Sequence, residues 1–253
     1  MEKYCLISTM MKRIFSMICA IVAIFSMEEN VFAQEDKDNK LDVTVDVASG
    51  IIWRGIPNNM NPVVIPSFNF KPGRFSIGAG ASIPFSPGEY QEISIFAEYE
   101  ILPSFKVCIT DFYWYCADSL GNYRSHFNYN KETTSHAIDL QLFYEGPGGF
   151  KAMLSTIIAG ADLNSKEDKN NYSTYLELDY GNTFKNVDWD VCAGFVPMKS
   201  GFYGTSGANF VDISTGVSKK FEITSKYSLP VSLRFIVNPA TKLTYFVVAI
   251  TLF

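Results

Sequence analysis

The sequence predicts an all-β protein, a transmembrane antiparallel up-and-down β-barrel of about 12 strands. Three observations predict it: an export signal near the N-terminus, side chains that alternate between apolar and polar, and connections that alternate between short and long. The composition agrees, because aromatic residues make up 15% of the 253 residues and charged residues 19%. Such a chain is too apolar to be disordered.

Residues 1–33 are predicted to be a cleaved secretory signal peptide. Lys12 and Arg13 precede an apolar run over 14–25, and Val31 and Ala33 place short side chains at the −3 and −1 positions before Gln34. The run is too short to span a membrane as a helix. We expect 34–40 to be a disordered polar leader and 41–253 to form the barrel.

Apolar and polar side chains alternate with a period of two along most of the chain after residue 41, which is typical of strands with one apolar side. Val43, Val45 and Val47, for example, alternate with Thr44 and Asp46. We expect strands over 41–54, 62–71, 74–85, 90–101, 104–116, 135–146, 149–161, 171–181, 187–197, 209–221, 228–237 and 244–253. Ten residues tilted by about 40° span about 25 Å, the height of the apolar band of an outer-membrane barrel.

The connections between these strands alternate in length. Tight turns are predicted at 71–74, 102–104 and 146–149 and short links at 181–186 and 222–227, whereas 117–134, 162–170 and 198–208 are longer polar loops. Short turns at one rim and long loops at the other are typical of single-chain outer-membrane barrels. We therefore expect a bacterial outer-membrane protein in contact with lipid, with both its N- and C-termini at the periplasmic rim.

The alternation gives each strand an apolar side and a polar side. A sheet in lipid must close on itself, with the apolar side outward and the polar side toward the lumen, whereas a soluble barrel turns its apolar side inward. In the membrane arrangement, the candidates to face the lumen are Asp46, Glu98, Glu100, Lys106, Asp139, Glu145, Glu177, Asp179, Asp188, Asp190, Asp212 and Arg234.

The strand over 104–116 breaks the alternation. Phe112 and Trp114 have the parity opposite to that of Phe105, and Asp111 has the parity of the apolar side. Because a charge facing lipid is costly, we expect a β-bulge near Thr110 and Asp111 that shifts the register.

Two functions fit these features. The first is a channel for small hydrophilic solutes, in which a mostly acidic lumen favours cations or basic and neutral solutes. The second is a non-conducting barrel, with a lumen filled by its own salt bridges, that serves envelope structure or surface interaction through the loops 117–134, 162–170 and 198–208. The lumen decides between them, because only the first needs a continuous opening.

The sequence contains no motif for catalysis, and we expect neither an enzyme nor a cofactor or metal. Only His126 and His136 offer imidazoles, and no basic block indicates nucleic-acid binding. After export, Cys108, Cys116 and Cys192 remain, an odd number that fits three thiols or one disulfide and a thiol.

The last predicted strand ends at Phe253. In this it resembles outer-membrane barrels, whose final strand ends in an aromatic residue that the barrel assembly machinery recognises. An ordinary edge strand that happens to be last would have the same sequence.

Several short motifs resemble the TorF-like porin family of outer-membrane barrels. They are Trp53-Arg54-Gly55 at the end of the first predicted strand, residues 62–67 (PVVIPS), residues 75–79 (FSIGA), residues 110–113 (TDFY) and residues 238–240 (NPA). The last two are similar to Bacteroidetes-type members. The resemblance covers most of the predicted barrel and implies an outer-membrane barrel with channel activity, without any catalytic residue.

Overall fold

The computed structural model describes residues 40–86, 88–115, 125–164 and 169–253, and in them the chain forms a closed barrel of 12 antiparallel strands. The predicted all-β fold, an antiparallel barrel of about 12 strands, is therefore confirmed, and its place in a membrane stays a prediction. In chain order the strands are β1 (Leu41–Ala48), β2 (Ile51–Trp53), β3 (Ile56–Asn59), β4 (Val63–Phe70), β5 (Phe75–Pro84), β6 (Gln91–Leu102), β7 (Phe105–Tyr115), β8 (His136–Glu145), β9 (Phe150–Gly160), β10 (Leu163–Asn164), β11 (Lys169–Asn170), β12 (Thr174–Phe184), β13 (Val187–Val196), β14 (Asn209–Thr224), β15 (Tyr227–Asn238) and β16 (Leu243–Thr251). Two short hairpins, β2–β3 and β10–β11, form separate sheets and are not part of the barrel wall.

The barrel closes between its first and last strands. β1 pairs with β4 along its full length and with β16 at Asp46, Val47 and Ala48. The pairing extends to the last residue, because the Val45 N–H donates to the Phe253 carbonyl at 2.9 Å. Closure leaves no open edge in the wall, as a sheet in lipid requires.

The two rims of the barrel differ in their connections. One rim, called the turn rim below, carries the short connections, including the two-residue turns 185–186 and 225–226. The other, called the loop rim, carries the longer connections, including 49–62, 116–135 and 197–208. Leu41 and Thr251, the first and last residues of the wall, both lie at the turn rim. This is the alternation that the sequence predicts.

The register of the strands separates an apolar side from a polar side. Leu142 pairs with Leu154 across β8 and β9, and their side chains are 45% and 39% exposed. Their neighbour Gln141 pairs with Cys108 and Ser155, and all three are buried. The apolar side therefore faces outward around the wall, and the polar side faces the lumen.

The first predicted strand is wrong at its end. The sequence predicts a strand over 41–54, but β1 ends at Ala48 and the chain leaves the wall there. Residues 51–59 form the hairpin β2–β3, called the inner hairpin below, before the chain rejoins the wall at Val63. The alternation continues past residue 48 because a hairpin has the same period as a wall strand.

The predicted bulge near Asp111 is also wrong. The pairing of β7 with β6 and with β8 runs through Asp111 without a register shift, so that Asp111 faces outward beside Ile95 and Ile138. A bulge does occur in β14, where Val211 falls between the pairs Gly194–Asp212 and Phe195–Phe210. Val211 is consequently fully buried, although its parity in the sequence places it with the outward residues.

The described part of the chain contains no helix that is long and apolar enough to cross a bilayer. The predicted signal peptide, the leader up to residue 39, Cys116 and the loop residues 117–124 lie outside the described residues.

Candidate functional site

The structure places all the residues that the sequence assigns to the lumen on the polar side of the wall, through the register of their strands. Asp139 and Asp212 are buried, and Asp188 is exposed at the turn rim. The others are partly buried or exposed. They do not all converge on one site but line the lumen along its length, with Glu177 and Asp179 close together on β12.

Several of these residues form ion pairs near the turn rim. Lys106 Nζ lies 2.7 Å from the Glu145 carboxylate, and Arg234 Nη2 lies 2.7 Å from that of Asp190. Glu100 pairs with Lys106 in register and lies 3.6 Å from Lys71. These partly exposed pairs contribute little to stability, and they leave the inner side predominantly acidic.

The inner hairpin is built around a two-residue turn. Trp53 pairs with Ile56, and between them Arg54 and Gly55 have φ angles of 50° and 75°. Two positive φ angles define the tight turn that matches the twist of a hairpin. Gly55 is required for a second reason, since a Cβ atom there would lie 1.8 Å from the carbonyl oxygen of Val211 in β14.

Arg54 connects the hairpin to a buried network of polar side chains. Its Nη2 donates to Asp139 Oδ2 at 2.8 Å, and its Nη1 donates to the Tyr203 hydroxyl at 2.9 Å. Asp139 is fully buried and also accepts hydrogen bonds from Ser155 at 2.6 Å and from Gln141 at 2.8 Å. The charge of each partner is thus neutralised and its hydrogen bonds are satisfied, as burial of an ion pair demands.

Aromatic side chains surround this network. The Arg54 guanidinium lies 4.3 Å from the ring centroid of Trp53 in β2 and 5.0 Å from that of Tyr175 in β12. Trp53 in turn packs against Phe112 at 5.4 Å and against Tyr203 at 6.2 Å. Phe112 and Trp114, which break the alternation of β7, therefore face the hairpin, and no bulge is needed to explain them.

The inner hairpin crosses the lumen. It is rooted between β1 and β4, and Arg54 reaches β8, which lies on the far side of the barrel in the strand order. The hairpin contacts other wall strands as well, because Asn238 of β15 donates to the Gly55 carbonyl in the turn at 3.0 Å and Asn58 of β3 donates to Glu92 of β6 at 3.3 Å. Trp53 and Ile56 of the hairpin pack with Phe202 and Tyr203 from the 197–208 loop inside the barrel, near the loop rim.

A second polar cluster lies on the outer side of β7 and β8. His136 Nδ1 lies 2.8 Å from Asp111, and its Nε2 donates to the His126 carbonyl at 2.6 Å. Tyr129 stacks on the His136 ring at 4.2 Å and donates to Asp111 at 2.9 Å. Burial and the Asp111 carboxylate raise the pKa of Tyr129. The segment 125–134 thus covers the outward carboxylate of Asp111 and supplies a partner for it, Tyr129, in addition to His136 of β8.

The described cysteines are free thiols. Cys108 and Cys192 are both buried on the inner side, on β7 and β13.

Phe253 ends the chain beside β1, as the pairing of its carbonyl with Val45 shows. The sequence gives no separate signal for the inner hairpin except the Arg54-Gly55 pair, which suits a tight turn.

A closed 12-strand barrel with a polar lumen and an apolar outer side is the architecture of the outer-membrane barrel class. Comparison of the chain with models of known families and with curated proteins found no match. The resemblance to TorF-like porins therefore stays a prediction.

Proposed function

We propose that the protein is an integral barrel of the bacterial outer membrane and acts there as a gated channel for small hydrophilic solutes. The observation that carries the proposal is the inner hairpin, a separate element that closes an otherwise polar lumen near the loop rim. In this proposal the structure is the closed state, and conduction requires the hairpin to move away from Asp139.

The outer side supports a place in lipid. Large apolar side chains project from every part of the wall, and Ile95 and Leu178, for example, are 50% and 53% exposed. A continuous apolar surface of this kind is rare on soluble monomers. Near the turn rim, Phe105, Tyr144 and Phe150 follow one another on neighbouring strands, with ring centroids 4.8 Å and 6.3 Å apart. Such a row is typical of the aromatic girdle at a membrane interface.

The way the lumen is closed supports a gate. A permanent closure could be made by apolar packing alone, whereas a buried ion pair contributes little net stability and is instead used to specify a register or a switch. Arg54 and Asp139 belong to different elements, so that their separation would remove the ion pair that holds the hairpin to β8 without breaking any strand pairing of the wall. The acidic inner side beneath the hairpin favours cations once the lumen opens.

A non-conducting barrel is the second candidate, and the filled loop-rim end of the lumen favours it. In that case the hairpin and the 197–208 loop form a permanent lid, and the loops serve envelope structure or bind a partner. The Trp53 cluster also favours this alternative, because its apolar packing holds the hairpin in place in addition to the polar contacts of Arg54.

Planar-bilayer recordings separate the two functions. We would compare the wild type with Arg54→Ala, with a variant whose residues 51–59 are replaced by a short Gly-Ser linker, and with Pro57→Ala. Pro57 is an exposed residue of the same hairpin and serves as the matched control. Gating predicts infrequent openings for the wild type and Pro57→Ala, frequent openings for Arg54→Ala, and a permanently open, cation-preferring pore for the linker variant.

Two results would overturn the proposal. An absence of conductance in the linker variant, with folding verified on gels, would establish the non-conducting barrel. A steady wild-type conductance that the linker variant does not increase would show that the hairpin is not a gate.

A further inference from the structure

An acidic and thiol cluster lies on the inner side of β12 and β13, beneath the inner hairpin. Glu177 and Asp179 are two residues apart on β12 and lie on the same side of the sheet. Cys192 of β13 pairs directly with Asp179. The ligand atoms of the three side chains all lie within 4.8 Å of one another. This arrangement follows from the register, since alternate residues of a strand and their paired neighbours share one side of the sheet.

Asp212 of the neighbouring strand β14 adds an unsatisfied carboxylate oxygen. It is only 7% exposed, and its Oδ1 has no hydrogen-bond partner. Asp212 and Glu177 both pair with Gly194, and the Tyr175 hydroxyl occupies the space over that glycine, 2.1 Å from where a Cβ atom would lie. Asp212 also interacts electrostatically with Glu177 and with the Cys192 thiol. A buried carboxylate oxygen without a partner is costly, and this one lies on the strand next to Cys192, beside the group of three ligand atoms.

No basic side chain of the described ranges lies within ion-pair distance of Glu177, Asp179 or Asp212. Arg234 pairs with Asp190 and acts on Asp212 only from beyond that distance. Tyr175 donates to one oxygen of Glu177 at 2.6 Å, and Asp179 is hydrogen-bonded with Glu177 and with Cys192. Carboxylates that share a site repel one another, and a bound divalent cation removes that repulsion.

We propose that Glu177, Asp179, Cys192 and Asp212 bind a thiophilic divalent cation of the Zn²⁺ class inside the lumen. A thiolate together with carboxylates suits Zn²⁺ and its analogues Cd²⁺ and Co²⁺, whereas Mg²⁺ and Ca²⁺ take oxygen ligands only. Ligands about 2.0–2.3 Å from such an ion lie about 3.5 Å from one another, so the side chains of Glu177, Asp179 and Cys192 need shifts on the order of 1 Å, and Asp212 supplies the fourth ligand from the next strand. Binding releases the proton of the Cys192 thiol.

The site is open to the turn rim. Asp179 lines a cavity of about 530 Å³ that also includes Asp190 and Arg234 and extends to the turn-rim residues Gly149 and Thr183. A cation can thus reach the cluster with the inner hairpin in place. The inference goes beyond the proposed channel and does not depend on it, because it concerns equilibrium binding to the closed barrel.

The test uses full-length folded protein in detergent after treatment with a chelator. Co²⁺ is the spectroscopic probe, since a cobalt–thiolate bond gives a strong charge-transfer absorption that carboxylates do not. Cys192→Ser removes the proposed thiolate, and Cys108→Ser is the matched control because Cys108 is also a free, buried and inward-facing thiol. Heat-modifiable gel migration verifies that each variant is folded.

We expect the charge-transfer absorption in the wild type and in Cys108→Ser and its loss in Cys192→Ser. Zn²⁺ titrations by calorimetry should show at least a tenfold weaker affinity for Asp212→Asn. The proposal is overturned if the folded wild type shows no cobalt–thiolate absorption or if Cys192→Ser keeps it. An unchanged Zn²⁺ affinity in Asp212→Asn would remove Asp212 from the site and with it the four-ligand assignment.

Discussion

Arg54 and Asp139 form a 2.8 Å ion pair in the lumen although 85 positions of sequence separate them. Their side chains are 5% and 0% exposed, and they come from the inner hairpin and from β8 on the far side of the wall. Breaking one partner of such a pair leaves an uncompensated buried charge. The pair therefore fixes the position of the hairpin, and its removal has measurable consequences.

Arg54→Ala should destabilise the closed barrel by about 3–5 kcal/mol, the usual cost of leaving one member of a buried ion pair alone. The measurement is denaturant unfolding of the detergent-solubilised protein, followed through tryptophan fluorescence, because Trp53 lies in the affected cluster. The double variant Arg54→Ala with Asp139→Ala should lose less stability than the sum of the two single variants. Additive losses would mean that the two side chains do not interact.

Gly55→Ala should displace the inner hairpin without removing any charge. The added Cβ would lie 1.8 Å from the Val211 carbonyl oxygen and would occupy a backbone conformation with φ of 75°, so the tip must move away from β14. We expect more frequent bilayer openings than in the wild type. Gly73→Ala is the control, because its Cβ meets nothing within 4 Å at a similar φ of 79°, and equal behaviour of the two variants would contradict the close approach.

His136→Ala should release the segment 125–134 from the outer side of the barrel. The substitution removes the contacts to Asp111, to the His126 carbonyl and to the Tyr129 ring. Trypsin should then cleave after Lys131 several-fold faster than in the wild type. Cleavage after Lys199, in a loop that does not contact this cluster, should be unchanged, and a parallel increase at both sites would indicate general unfolding instead.

A charge on the outer side should impair membrane assembly, whereas one on the inner side should not. Ile95→Arg places a guanidinium on the outer face of β6, at a cost of about 2–4 kcal/mol near the bilayer midplane. Glu98→Arg places the same group on the inner face of the same strand. The amount of folded barrel in the outer-membrane fraction should fall for Ile95→Arg only. Equal amounts would argue against a lipid-facing outer side.

The wall of the barrel was predictable because its signal is local. The alternation of Val43, Thr44 and Val45 gives the strand and its two sides, and the short turns give its direction. The closed ring is also implied, since an apolar outer side in lipid tolerates no edge. These features depend only on neighbours in sequence, and the structure confirms the strand number and the arrangement of the rims.

The inner hairpin was not predictable in the same way. Ile52 and Arg54 alternate as a wall strand would, and nothing near Arg54 in the sequence shows that its partner is Asp139 of β8. The inward parity of Phe112 and Trp114 is consistent with an aromatic partner inside the lumen, but a β-bulge explains the same parity equally well. Likewise, Asp111 finds one partner, Tyr129, in the segment 125–134, whose path the period of β7 does not determine.

Heat-modifiable migration of the protein in isolated outer membranes tests the central claim, a closed barrel whose apolar side faces lipid, most directly. We predict that the protein fractionates with the outer membrane and migrates as a compact band in unheated detergent samples, and that boiling converts this band to the mobility expected for the unfolded chain. A protein recovered in the soluble fraction, or one with the same mobility before and after boiling, would contradict the account.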